Sequence, residues 1–149
     1  MARPFLIFIL ISMVTLLGGC ASHRQGPYQL SLEQSEAAMA SYRRADYKEA
    51  VRQYEFLTSQ VPKDANFWFY LGNAYAKDKQ PQRAVMAYEN ALIRDNGLGK
   101  AWYNMGLLQM QQALKTFIDM QENLPENDPA RKLGREKMDA LFQLLGQTK

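Results

Sequence analysis

Few side chains in this sequence are placed to make or break bonds. It holds one cysteine, Cys20, and one histidine, His23, too few for an intrachain disulfide or a thiol–imidazole metal site. No G-x-S-x-G, no P-loop and no dinucleotide-binding glycine pattern occurs. Glu89 and Asp95 are isolated carboxylates on a polar helix face. Two other kinds of chemistry remain. Cys20 follows one apolar and two small residues, Leu17-Gly18-Gly19. Farther along, the carboxamides of Asn73 and Asn104 can hydrogen-bond a peptide backbone without selecting its sequence, and Lys100 can attract a carboxylate. Phe69 and Tyr103 are aromatics of the kind that anchor a partner when exposed. Binding is therefore expected in place of catalysis: no enzyme, no cofactor, no metal.

The setting of Cys20 comes first. Met1-Ala2-Arg3 is a short positive start and Phe5 to Leu17 is apolar. As a helix that run spans roughly 20 Å, short of a ~30 Å hydrocarbon core. Its length and flanks are those of a signal-peptide core. Leu17-Gly18-Gly19-Cys20 resembles the bacterial lipobox. That resemblance implies cleavage before Cys20, acylation of its thiol, and stable anchoring through several acyl chains. Ala21 and Ser22 follow with no aspartate, which implies the outer membrane, with the remainder facing the periplasm. The expected divisions are 1–19 as leader, 20–30 as acylated N-terminus and flexible tether, and 31–146 as a helical domain. His23 falls in the tether and is read as solvated.

The carboxamides and aromatics sit in a patterned region. Trp68, Leu71, Gly72 and Tyr75 follow W-x2-L-G-x2-Y, and Ala84, Tyr88 and Ala91 follow at helical spacing. This resembles a tetratricopeptide repeat (TPR), a helical hairpin recurring every ~34 residues. Displaced by that period, Trp68 maps onto Trp102, Leu71 onto Met105 and Gly72 onto Gly106. In the other direction Ala84 maps onto Ala50, Tyr88 onto Tyr54, Ala91 onto Leu57 and Asn96 onto Pro62. Both tryptophans of the chain fall in register.

The resemblance implies an all-α fold: a short TPR solenoid of antiparallel helix pairs, about six helices in all. A first helix is expected from Ser31, with Gln34 completing a capping box, to about Arg44. Asp46 and Glu49 open the second, to about Gln60, and Pro62 ends it. Asp64 caps the third, to about Asp78, and Pro81 opens the fourth, to about Asp95. Trp68, Leu71, Tyr75, Tyr88 and Ala91 are assigned to packing between repeats. The third unit departs from the pattern: Gln109 replaces Tyr, Ile118 replaces Ala, and no turn residues appear between Lys100 and Asn123. One long fifth helix is expected there. Asp128 and Pro129 then open a last, capping helix to about Leu145, with Leu133, Leu141, Leu144 and Leu145 as its apolar stripe.

In the TPR family the first helices of successive repeats line a peptide-binding groove. Helical spacing puts Phe69, Asn73 and Ala76 on that face in the second repeat and Lys100, Tyr103, Asn104 and Leu107 in the third. Met39, Tyr42 and Arg43 are candidates from the first. Asn73, Asn104 and Lys100 partly resemble the clamp by which some TPR domains hold a C-terminal carboxylate, although Phe69 stands where that clamp has lysine. The balance of 18 basic and 15 acidic side chains, net +3, gives no basis for nucleic-acid binding. The expected function is an outer-membrane-anchored periplasmic scaffold that binds proteins or peptides, in pilus or secretin assembly. The alternative is an adaptor recruiting peptidoglycan enzymes or proteases to that membrane. The burial that two and a half repeats lack is expected from the long fifth helix and the terminal helix, or otherwise from self-association or a partner.

Overall fold

A computed structural model describes residues 27–146, and side chains over 31–143. The described residues form six helices: α1 (Pro27–Arg43), α2 (Tyr47–Gln60), α3 (Ala65–Lys77), α4 (Pro81–Arg94), α5 (Gly99–Asn123) and α6 (Pro129–Gly146). The fold is an all-α TPR solenoid with α1/α2 and α3/α4 as its helix pairs.

The helix starts follow local chemistry. The Asp46 carboxylate accepts from the Glu49 amide at 3.3 Å, Asp64 from Asn66 at 2.8 Å, and Asp128 from Ala130 at 2.8 Å. Each satisfies an amide that the helix itself cannot pair. Pro81 stands at the start of α4, where its missing N–H costs nothing. α1 begins four residues ahead of the expected Ser31, because Pro27 presets the first turn. Ser31 is therefore a buried residue inside α1 and not its cap. Residues 27–30, expected as the end of a tether, are helical.

Both hairpins close with the same turn. Ala45 (φ 62°) and Lys79 (φ 60°) are left-handed residues at equivalent positions. Behind each, an amide reaches back across the turn, Asp46 to the Ser41 carbonyl at 3.0 Å and Gln80 to that of Tyr75 at 2.9 Å. The third equivalent position is Ala113, inside α5. Neither Asp nor Pro stands there to start a new helix, and Gln, Ala, Leu and Lys all favour continuing the old one. The long fifth helix follows.

Packing centres on Tyr54, Leu57 and Tyr88, all fully buried. Burying each contributes about 1.5–3 kcal/mol. The α3–α4 crossing is close at Gly72, where an added Cβ would stand 2.5 Å from the Tyr88 ring. Small Ala84 and Ala91, both at 0% exposure, let the helices approach. The second and third repeats carry the same tryptophan bond: the Trp68 indole donates to the Pro62 carbonyl, and Trp102 to that of Asn96, both at 3.0 Å. α6 folds back on the far half of α5. There Gly134 lies against Met120 and Phe117, and Gln121 donates to the Arg131 carbonyl at 2.7 Å. Leu133 is exposed and Leu141 half-buried, while the side chains of Leu144 and Leu145 lie outside the described residues. Among the described residues no helix is long and apolar enough to cross a membrane.

Candidate functional site: a carboxamide-lined groove

The first helices of the repeats, α1, α3 and α5, wall a groove that encloses a cavity of about 280 Å³. Tyr42 lines it from α1; Asn73, Ala76 and Lys77 from α3; Asn104, Leu107, Leu108 and Gln111 from α5; and Tyr88 from α4 beneath. A second cavity, of about 230 Å³, lies between α1 and its neighbours and takes Met39 and Arg43.

Asn73 is the centre of the polar network. Its carboxamide oxygen accepts from the Tyr88 hydroxyl at 2.8 Å and from the Asn104 carboxamide N–H, also at 2.8 Å. Burial pushes the Tyr88 hydroxyl up to about 12, with the Asn104 side chain pulling the other way. It is therefore a neutral donor over the ordinary pH range. Among the described residues the Asn73 N–H pair and the Asn104 oxygen make no hydrogen bond, which leaves a donor and an acceptor side by side in the groove. A peptide unit needs that complement, one acceptor for its N–H and one donor for its carbonyl.

The structure brings Asn73, Ala76, Asn104 and Leu107 onto one surface. The other sequence-derived candidates are placed differently. The Lys100 ammonium lies 3.1 Å from the Asn66 carboxamide oxygen and over the rings of Phe69 (4.5 Å) and Tyr70 (5.4 Å). It occupies the near end of the array and does not line the cavity. Phe69 was expected to be an exposed anchor, but it is buried at 6% exposure. Its ring packs 5.2 Å from Tyr70 and 6.1 Å from Tyr88, with Lys100 above it. Its role is to support α4. Tyr103, at 71% exposure, points to solvent away from the cavity lining. Cys20 lies outside the described residues.

Sequence reasoning missed Tyr88, Lys77, Leu108 and Gln111. Lys77 stands four residues after Asn73 and Gln111 seven after Asn104, so helical spacing carried the signal. Tyr88 carried less. Its ring is core, as expected, and only its hydroxyl reaches the groove.

Residues 35–101 match the tetratricopeptide repeat family. A curated relative, the general transcriptional corepressor ssn6 of Schizosaccharomyces pombe, is 30% identical over 87 residues, covering 57% of this chain. The chain spans only 8% of that relative's length. Tandem repeats of this kind build extended concave surfaces on which protein partners bind. Residues 35–101 thus resemble tetratricopeptide repeats, and they stand in an all-α solenoid of paired helices.

Proposed function

We propose that this chain is a lipid-anchored scaffold of the outer membrane that holds an extended protein segment in the α1/α3/α5 groove. Its work is in pilus or secretion-system (secretin) assembly in the periplasm. One observation carries the binding reading: Asn73, Asn104 and Tyr88 converge so that one carboxamide donor and one carboxamide acceptor are free for a peptide backbone. Backbone pairing gives affinity with little sequence demand, while Leu107 and Tyr42 supply apolar contact. The anchoring part rests on the Leu17-Gly18-Gly19-Cys20 sequence.

The test places a photo-crosslinking residue at Leu107 in living cells and identifies the captured protein by mass spectrometry. Expected is a secretin or pilus component, with capture lost when Asn104→Ala is added and helix content is unchanged by circular dichroism. Capture indifferent to Asn104→Ala would refute the groove, and capture of a peptidoglycan enzyme or protease would select the adaptor function. In the same cells Cys20→Ser should abolish incorporation of labelled palmitate. Retained labelling would exclude acylation at Cys20.

A further inference from the structure

The two repeat-equivalent faces of α3 and α5 are filled very differently. On α3, Gly72 is closed off by the Tyr88 ring, Phe69 is buried, Tyr75 is buried, and Arg94 lies over Trp68 at 4.6 Å. The Tyr88, Arg83 and Arg94 side chains of that cover come from α4 and Glu55 from its neighbour α2, while Lys100 of α5 lies over Phe69. One repeat later the same positions are Gly106, Tyr103, Gln109 and Trp102. A Cβ at Gly106 would meet nothing within 4 Å. Trp102 is 53% exposed, and Tyr103 and Gln109 are exposed as well. The helix that would cover them is displaced: α6 sits farther along α5, with its Gly134 against Met120 and Phe117. Among the described residues an unfilled seat for one helix remains on the first half of α5.

We propose that this seat docks an amphipathic helix of a partner protein, and that α4 describes its chemistry. The filled α3–α4 contact continues directly into the empty one, so the residues of α4 that cover α3 define what would cover α5. They are Tyr88 on the glycine, small Ala84 and Ala91 four before and three after it, Arg83 five before, and Arg94 six after. Charge complementarity supports the same occupant. Glu55 of α2 takes Arg83 at 2.6 Å and the Tyr75 hydroxyl at 2.5 Å. Its repeat equivalent, Glu89, is exposed and has no ion pair among the described residues. It awaits a basic side chain five residues before the incoming aromatic. One difference sharpens the prediction. Where Asn73 accepts the Tyr88 hydroxyl, α5 has Leu107, so the partner's aromatic should be phenylalanine and not tyrosine.

The test uses a stapled, fluorescein-labelled peptide with the sequence of Pro81–Arg94, titrated against the protein and followed by anisotropy. Saturable binding is expected, tighter when the tyrosine of the peptide is replaced by phenylalanine and lost when it is replaced by alanine. Gly106→Leu places its Cβ where nothing lies within 4 Å, and circular dichroism should show unchanged helix content. The substitution should weaken binding at least about tenfold, the scale of blocking a central contact. Glu89→Lys should weaken it as well. Absence of binding to the wild type, or equal binding to Gly106→Leu, would overturn the proposal. Concentration-dependent self-association that Gly106→Leu abolishes would overturn the choice of a partner protein and assign the seat to a second copy of this chain.

Discussion

Gly72 and Gly106 are one repeat apart, and changing each to alanine should move stability in opposite directions. In a helix interior alanine is favoured over glycine by about 1 kcal/mol. At Gly106 nothing lies within 4 Å of the new methyl, so the whole gain is kept, and the midpoint of unfolding should rise by about 4 °C. At Gly72 the methyl would stand 2.5 and 2.6 Å from two carbons of the Tyr88 ring. That ring cannot swing aside cheaply. It is fully buried, packs on Phe69, and is held by its hydroxyl on Asn73. Overpacking of this kind costs about 1–3 kcal/mol, and displacing the hydroxyl loses about 1 kcal/mol more. After the helix-propensity gain is set against these, Gly72→Ala should destabilise by about 1–3 kcal/mol. Urea unfolding followed by circular dichroism measures both variants on one scale. Equal shifts of the same sign would mean that α4 does not approach α3 at Gly72, and the close-crossing argument would fail.

Ala45→Gly and Lys79→Gly should each stabilise the chain by about 0.5–1 kcal/mol, since both residues hold left-handed backbone that only glycine adopts freely; a fall in melting temperature would contradict this. Burial pushes the Tyr54 and Tyr88 hydroxyls up to about 12. The unfolded chain loses those protons near the ordinary value of 10.0. Stability from these groups is therefore complete below about pH 10 and is lost as pH rises towards 12. Denaturation curves across that window should show the decline, and Tyr88→Phe should make it shallower. Asp64→Ala removes the carboxylate that accepts the Asn66 amide at 2.8 Å and should cost about 1 kcal/mol in the same urea assay, with no change in the cavity lined by Asn104 and Leu107.

How much of this was legible in the sequence depended on the range of the signal. Short-range features read through directly: the Asp46, Asp64 and Asp128 caps, Pro81, and the uninterrupted helix from Gly99 to Asn123. Helical spacing within α3 and within α5 put Asn73 and Asn104 on the same groove, and in the structure the two carboxamides meet at 2.8 Å, although they are not repeat equivalents. Phe69 was misread because facing away from Leu71 and Tyr75 does not imply facing water. Its burial depends on Tyr88 and Tyr70 closing around it, a three-body arrangement that spacing along one helix cannot report. Lys100 likewise shares a stripe with Asn104, yet its long chain folds back over the Phe69 ring and onto Asn66. The early start of α1 turned on Pro27, which was read as a loop residue although proline also opens helices.

α5 has a mechanical consequence. Its 25 residues, at ~1.5 Å each, make a rod about 37 Å long. One end walls the groove with Asn104 and Leu107, and the other carries the α6 hairpin at Met120 and Gln121. Such a rod is a lever with its fulcrum where Ala101 and Met105 are clamped in the core. A tilt of about ten degrees about that fulcrum moves the far tip, about 20 residues or ~30 Å away, by roughly 5 Å. Any tilt of α5 on occupation of the groove would therefore displace a surface several turns away.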